Sequence, residues 1–245
     1  MKRLTFSIAL IAALLVISLT PALAQGRGRG YRDNAFQIRL GQFFPDGGGE
    51  LWLDNEDVFT MHISDFNDLT WGFSYVTGFS NALEIGLNVD FYEDTVFSSY
   101  RDYVDEDDWP IYHDTRLDLM PVTVDVRFLP AGRHRMRPGG RQILKPAFYI
   151  GGGGGLNFWE YEEVGDFIDF MVEPPEVFFG RFKDSGTAWE AHVLAGVELP
   201  LSPGFNFLVE GRYSWSEDTL GGSLAGLGDI DLGGHSLSVG GSFRF

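Results

Sequence analysis

No cysteine occurs among the 245 residues, which excludes disulfides, thiolate metal sites and cysteine nucleophiles. Long hydrophobic runs are nearly absent: "FSIALIAALLVISL" near the N-terminus is the one stretch that approaches the length of a spanning helix. Positive charge is scarce, with 18 Lys and Arg against 35 Asp and Glu, so nucleic acid or a bare anionic surface would make a poor partner. Aromatic residues and glycine are plentiful instead. The chain has 22 Phe, 9 Tyr, 6 Trp and 32 Gly, a mixture that suits β structure better than helix.

The apolar run follows Met-Lys-Arg and precedes "TPALA", the basic, apolar and A-x-A segments of a secretory leader. Residues 1–24 are therefore expected to be a signal peptide cleaved after Ala24, residues 25–33 a short Gly/Arg segment, and residues 34–245 the functional domain. An anchor helix is the alternative, although the run is short and ends in Pro21 and small residues. Removing Lys2 and Arg3 with the leader takes the formal charge from −17 to −19.

Eight stretches then alternate with period two. They begin with Phe36, Ile38 and Leu40 and end with Leu237, Val239, Phe243 and Phe245. An even number of such stretches is what a closed antiparallel barrel requires. Mostly tight links, around Ser80-Asn81 and "PLSPG", alternate with four long segments that hold 27 of the 35 carboxylates. The link between the fourth and fifth stretches is the exception, being longer and basic, with Arg133, Arg135, Arg137, Arg141 and Lys145.

Alternation alone does not say whether the apolar face lines a soluble core or touches lipid. The opposite face reads Gly72, Ser74 and Gly78; Gly86 and Asn88; and Ser236, Ser238, Gly240 and Ser242. A soluble barrel would clothe its exterior in long charged side chains, whereas small residues fit the crowded interior of an eight-stranded barrel. Trp71, Trp189, Tyr213 and Trp215 sit at or near strand ends on the apolar face, as an interfacial girdle would. The expected fold is all-β: an eight-stranded antiparallel up-and-down transmembrane β-barrel, monomeric and with acidic outer loops.

The closing "SLSVGGSFRF", with its terminal Phe245, resembles the C-terminal signature read by the outer-membrane assembly machinery. With the eight strands, the region after the leader is similar to the small outer-membrane barrels of the OmpA-transmembrane, OmpX and OmpW type. The stretches "GQFFPDGG", "DVRFLPAGR" and "EGRYSW" resemble generic outer-membrane β-barrel families. The resemblance implies location in a Gram-negative outer membrane, contact with its lipid and lipopolysaccharide, and no cofactor. Its long basic inner link departs from the usual tight turn.

The inward face carries Arg39, Glu84, Asp90, Asp125, Arg127, Glu190, Glu198, Glu210, Arg212 and Arg244. Desolvated charges must pair, so these residues should form salt-bridge layers. Strand direction puts Glu84, Arg127, Glu198 and Arg244 near the periplasmic end, and Arg39, Asp125, Glu210 and Arg212 nearer the middle. Such a set either occludes the lumen as a static core or acts as a gate or narrow porin-like pore. Gly151 to Gly155 lacks the Lys-Ser/Thr of a phosphate loop and lies within a strand pattern, which favours a bend or close backbone approach. Lateral exit of an apolar ligand, as proposed for OmpW-like barrels, is the other reading of that glycine run. "YVDEDDWPIYHD" is a solvated acidic loop or a weak Ca²⁺ or Mg²⁺ site without an EF-hand register. Phe167, Ile168, Phe170, Met171, Val172, Phe178 and Phe179 are unusually apolar for a loop, and would fold over the mouth or touch a hydrophobic ligand.

An outer-membrane hydrolase is the competing class. "GRYSWS" resembles the Arg-x-x-His-x-Ser pattern of lipid A deacylases, but Trp215 stands where histidine is needed, leaving Ser216 without an adjacent base. No catalytic residue, metal ligand or cofactor site is therefore assigned. A structural or surface role, or slow passage of small or hydrophobic solutes, is the expected function.

Overall fold

The computed structural model of the chain describes residues 34–136, 142–202 and 204–245. The expected leader, its cleavage site, the Gly/Arg segment, and Arg137 and Arg141 of the basic link lie outside the described residues.

Eight long strands close into a ring. These are β1 (Asn34–Pro45), β2 (Asp68–Gly78), β3 (Leu83–Val104), β4 (Pro110–Phe128), β7 (Ala147–Asp169), β8 (Glu176–Ser202), β9 (Phe205–Thr219) and β11 (Gly234–Arg244). Every neighbour is antiparallel, and β11 pairs with β1 from Arg244 opposite Ala35 to Gly234 opposite Pro45, which seals the barrel. Two short strands, β5 (His134–Met136) and β6 (Gln142–Leu144), form a hairpin in the basic link, and β10 (Asp229–Asp231) adds to the upper end of β9. One helix, α1 (Glu50–Val58), and a 3-10 turn at Ile63–Phe66 lie between β1 and β2.

The faces follow the sequence alternation through an apolar band. Ile38, Leu40, Val124, Val126, Ile150, Val193 and Val239 are exposed outward, whereas Gln37, Ser74, Asn88, Asp125, Arg127 and Ser242 are buried inside. Outward apolar residues run from Leu83 to Phe91 on β3, from Phe128 back to Met120 on β4 and from Phe148 to Phe158 on β7. Each run is as long as the 9 to 11 residues that a tilted membrane strand requires. Closure leaves no unpaired strand edge within this band, as hydrocarbon demands.

Above the band the two faces exchange chemistry. On β3 the outward residue changes from Phe91 to Glu93 while the inward one changes from Asp90 to Tyr92; on β4, Met120 gives way to Asp118 outside and Leu119 and Leu117 lie inside. On β7, Phe158 gives way to Glu160 outside, and Trp159 and Tyr161 lie inside. Pro121, which has no N–H to donate, sits at this level, and the β3–β4 ladder breaks there between Val89–Val122 and Tyr92–Leu119 without changing parity. The outer wall becomes charged, with Arg116 bridging Glu93 and Asp118 at 2.7 and 2.8 Å and Lys183 paired with Glu160.

The segments after the third and fifth alternating stretches, expected as loops, are thus continuations of β3–β4 and β7–β8. A loop would have left the backbone polar groups of these residues to water; the ladders pair them instead, from Leu119 opposite Trp159 up to His113 opposite Gly165. From Phe91 to Val104 the wall extends roughly 40 Å of strand beyond the band. Its free edges are covered. Thr60 N–H donates to Ser99 O at 2.8 Å along β3, and Lys183 N–H donates to Ser223 Oγ at 2.6 Å along β8.

Candidate functional site

The barrel interior is filled by two chemistries stacked one above the other. The lower part is ionic. At the end farthest from the long hairpins, Arg133 forms a bidentate pair with Glu84 at 2.9 and 2.6 Å, and Arg244 forms one with Glu198 at 3.1 and 2.9 Å. The pairs are cross-linked, Arg133 to Glu198 at 2.9 Å and Arg244 to Glu84 at 3.1 Å. Gln37 and Asn206 donate further hydrogen bonds to Glu198 at 3.0 and 2.7 Å.

One level up, Arg39 bridges Asp90 and Glu210 at 2.6 and 3.1 Å, and Arg212 bridges the same two carboxylates at 3.0 and 3.3 Å. Arg127 donates to Asp125 at 2.9 Å, reaches Glu210 at 3.5 Å and lies 5.1 Å above the Tyr149 ring. Tyr149 O–H donates to Glu210 at 2.8 Å. Gln37 joins the two levels, accepting from Arg127 at 3.0 Å and donating to Glu198.

All eight predicted lumen residues, Arg39, Glu84, Asp125, Arg127, Glu198, Glu210, Arg212 and Arg244, are therefore brought together. One placement is corrected. Arg127 was expected beside Glu84 at the periplasmic end, and its backbone does pair with Glu84, but its side chain extends to Asp125 and Glu210 in the central group. Arg133, assigned by sequence to the inner link, turns into the barrel and takes the place expected for Arg127. Gly132, with φ +71, and the Asn81 carbonyl, which accepts the Arg133 N–H at 2.9 Å, aim it there. The network then balances. Five guanidinium groups (39, 127, 133, 212, 244) face five carboxylates (84, 90, 125, 198, 210).

The glycine run supplies space for this core. Gly151, Gly153 and Gly155 point inward opposite Arg127, Asp125 and Thr123. A Cβ on Gly153 would lie 1.9 Å from the Val124 carbonyl oxygen, and one on Gly155 2.1 Å from that of Val122. Close approach of two backbones, rather than a phosphate cradle, is what these residues serve.

Above the ions a cavity of about 60 Å³, lined by Glu190, Glu210, Arg212 and Asn157, separates them from an apolar plug. Trp52 of α1 and Phe66 of the 3-10 turn enter the mouth and pack on Tyr161, Tyr92 and Leu117 of the wall. Leu220, Leu224, Ile230 and Leu232, between β9 and β11, fill the other side. Three buried polar groups of the plug are paired. Trp52 Nε1 donates to Asp231 O at 2.8 Å, Tyr92 O–H to Phe66 O at 2.5 Å, and Trp159 Nε1 to Asp218 at 2.8 Å. The apolar residues of 167–179 are expected to fold over the mouth or to touch a hydrophobic ligand. Phe167 does turn in against His113 and Phe182, but Phe170, Met171 and Phe179 are exposed at the hairpin tip.

His113 and Glu163 are enclosed in the plug. His113 is 2 % exposed, its Nε2 lies 3.1 Å from Ser98 Oγ, and Phe59 meets it edge-on with ring centres 4.1 Å apart; burial lowers its pKa to about 4. Glu163 accepts from Asn55 at 3.1 Å and from the Tyr161 hydroxyl; burial raises its pKa.

Neither group builds a hydrolase. Ser98 and His113 are sealed from solvent, and His113 Nδ1 meets no orienting carboxylate. Ser216 Oγ and both ring nitrogens of His192 make no hydrogen bond. Among the described residues no three His, Asp or Glu side chains form a metal-binding group. In the acidic tip, Asp105 Oδ1 instead accepts the N–H groups of Asp107 and Trp109 at 2.9 and 2.8 Å.

Closure, the outward apolar band and the inward ion network define a small barrel of the outer-membrane architecture. No family model matches the chain, and no curated protein does. Solved structures similar to it include the outer membrane protein OprG from Pseudomonas aeruginosa, at 14 % identity over 88 % of this chain and 98 % of that one, with a TM-score of 0.47. The N-terminal β-barrel domain of Pseudomonas aeruginosa OprF is 10 % identical over 87 % of this chain and 98 % of that one, with a TM-score of 0.38. Ail, the attachment invasion locus protein of Yersinia pestis, is 11 % identical over 87 % of this chain and 97 % of that one, with a TM-score of 0.39.

Proposed function

We propose that the chain is an integral outer-membrane protein that works as a closed, non-conducting anchor and holds a rigid wall of paired strands above the cell surface. The observation that carries this reading is the filling of the lumen: a balanced network of ten charged side chains lies beneath a plug of aromatic and aliphatic residues. In this reading the long hairpins face outward and the β4–β7 link faces the periplasm, following the usual plan of such barrels. The leader at 1–24 is removed on export, the outward face contacts lipid and lipopolysaccharide, the monomer is the working form, and β11 with Phe245 is presented to the assembly machinery.

Planar-bilayer recording on the refolded barrel tests the proposal. We expect no unitary steps from the wild type, and none from Glu210→Gln or Arg212→Gln while each still shows a heat-shifted gel band. Regular steps from the wild type would overturn it in favour of a pore.

A further inference from the structure

At the upper rim of the apolar band a groove of about 430 Å³ opens on the outside of the barrel. Its walls are Trp189 of β8 with Tyr213 and Trp215 of β9; its acidic groups are Asp46, Glu217 and Asp231. Among the described residues no Lys or Arg lines it. Tyr213 and Trp215 meet edge to face at 4.8 Å, while Trp189 and Trp215 are 80 % and 51 % exposed.

The carboxylates are held in place. Asp46 accepts the Tyr213 hydroxyl at 2.5 Å, and Asp231 accepts the N–H groups of Gly48 and Gly233 at 3.0 and 2.8 Å. Aromatic faces attract a cation through their quadrupoles, most strongly where water is displaced. Carboxylates beside them supply the opposite charge.

We propose that this groove binds an organic ammonium group, seated against Trp189, Tyr213 and Trp215 and neutralised by Asp46, Glu217 and Asp231. The group could be borne by a neighbouring lipid headgroup or by a free amine, since the groove lies at headgroup level and opens to solvent. This site is independent of whether the lumen conducts.

The test follows tryptophan emission of the full barrel refolded in an uncharged detergent and titrated with choline chloride against sodium chloride of equal ionic strength. We expect a saturable change with choline, weakened roughly five-fold or more in Trp215→Leu and in Glu217→Gln. The heat-shifted gel band shows that each variant is folded. In a second arm, nanodiscs containing phosphatidylethanolamine are compared with nanodiscs of phosphatidylglycerol. A Trp215-dependent difference with weak response to free choline assigns the headgroup as source; a response to choline in both lipids assigns the free amine. No saturable change in either arm overturns the proposal. So does an equal response to calcium chloride, or a response that Trp215→Leu and Glu217→Gln leave unchanged.

Discussion

At the scale of single residues, the lumen depends on charge matching in a place water does not reach. Glu210 receives Arg39, Arg127, Arg212 and the Tyr149 hydroxyl, so Glu210→Gln leaves three guanidinium groups short of one negative charge. We expect this variant to lose about 3 to 5 kcal/mol of stability, the usual cost of breaking a buried pair on one side, measured as a lower urea midpoint in micelles. Gly153→Val should block refolding altogether, because its Cβ would overlap the Val124 carbonyl; the heat-shifted band would be absent.

His113 and Glu163 set opposite pH limits on the plug. His113 titrates lower in the folded protein than unfolded, so the unfolded chain binds the extra proton, and stability falls as pH drops from about 6.5 toward about 4. Glu163 titrates higher when folded, so its protonated form favours the plug, and that contribution is lost as pH rises through its folded value. Urea midpoints measured against pH should show the acid limb disappear in His113→Phe and the other limb flatten in Glu163→Gln.

At the scale of elements, the strands within the band were legible because one chemistry occupies each face: Leu83, Ile85, Leu87, Val89 and Phe91 outside, Glu84, Gly86 and Asn88 inside. The upper halves of β3, β4, β7 and β8 escaped notice because the phase of the alternation inverts at the rim. A reader following the apolar side sees the pattern stop at Phe91, although Tyr92, Val96 and Tyr100 continue it on the other face. Arg133 was missed because it lies in a link, where no periodicity applies. A charge count could have pointed to it: the inward strand positions alone give four arginines against six carboxylates, Glu190 included. The plug residues Trp52 and Phe66 belong to short local elements that packing, not pattern, puts inside. Trp52→Ala should therefore cost about 3 to 5 kcal/mol locally. We expect faster protease cleavage across 50–66 with the membrane band intact; cleavage at the wild-type rate would show that Trp52 does not hold the plug.

At the scale of the whole molecule, the barrel carries its polar core where lipid surrounds it and its apolar core where water does. Each half buries what its own surroundings would reject. The same rule explains why the chain presents a charged wall above the rim and an aliphatic one below it.

The seam between β1 and β11 couples residues roughly two hundred positions apart, Ala35 with Arg244 being the outermost rung. Until that rung forms, two strand edges face hydrocarbon with unmet backbone groups, so a half-zipped cylinder has no resting place in the bilayer. Insertion should accordingly be an all-or-nothing event that waits for β11, and its slowest step should be the meeting of β1 with β11.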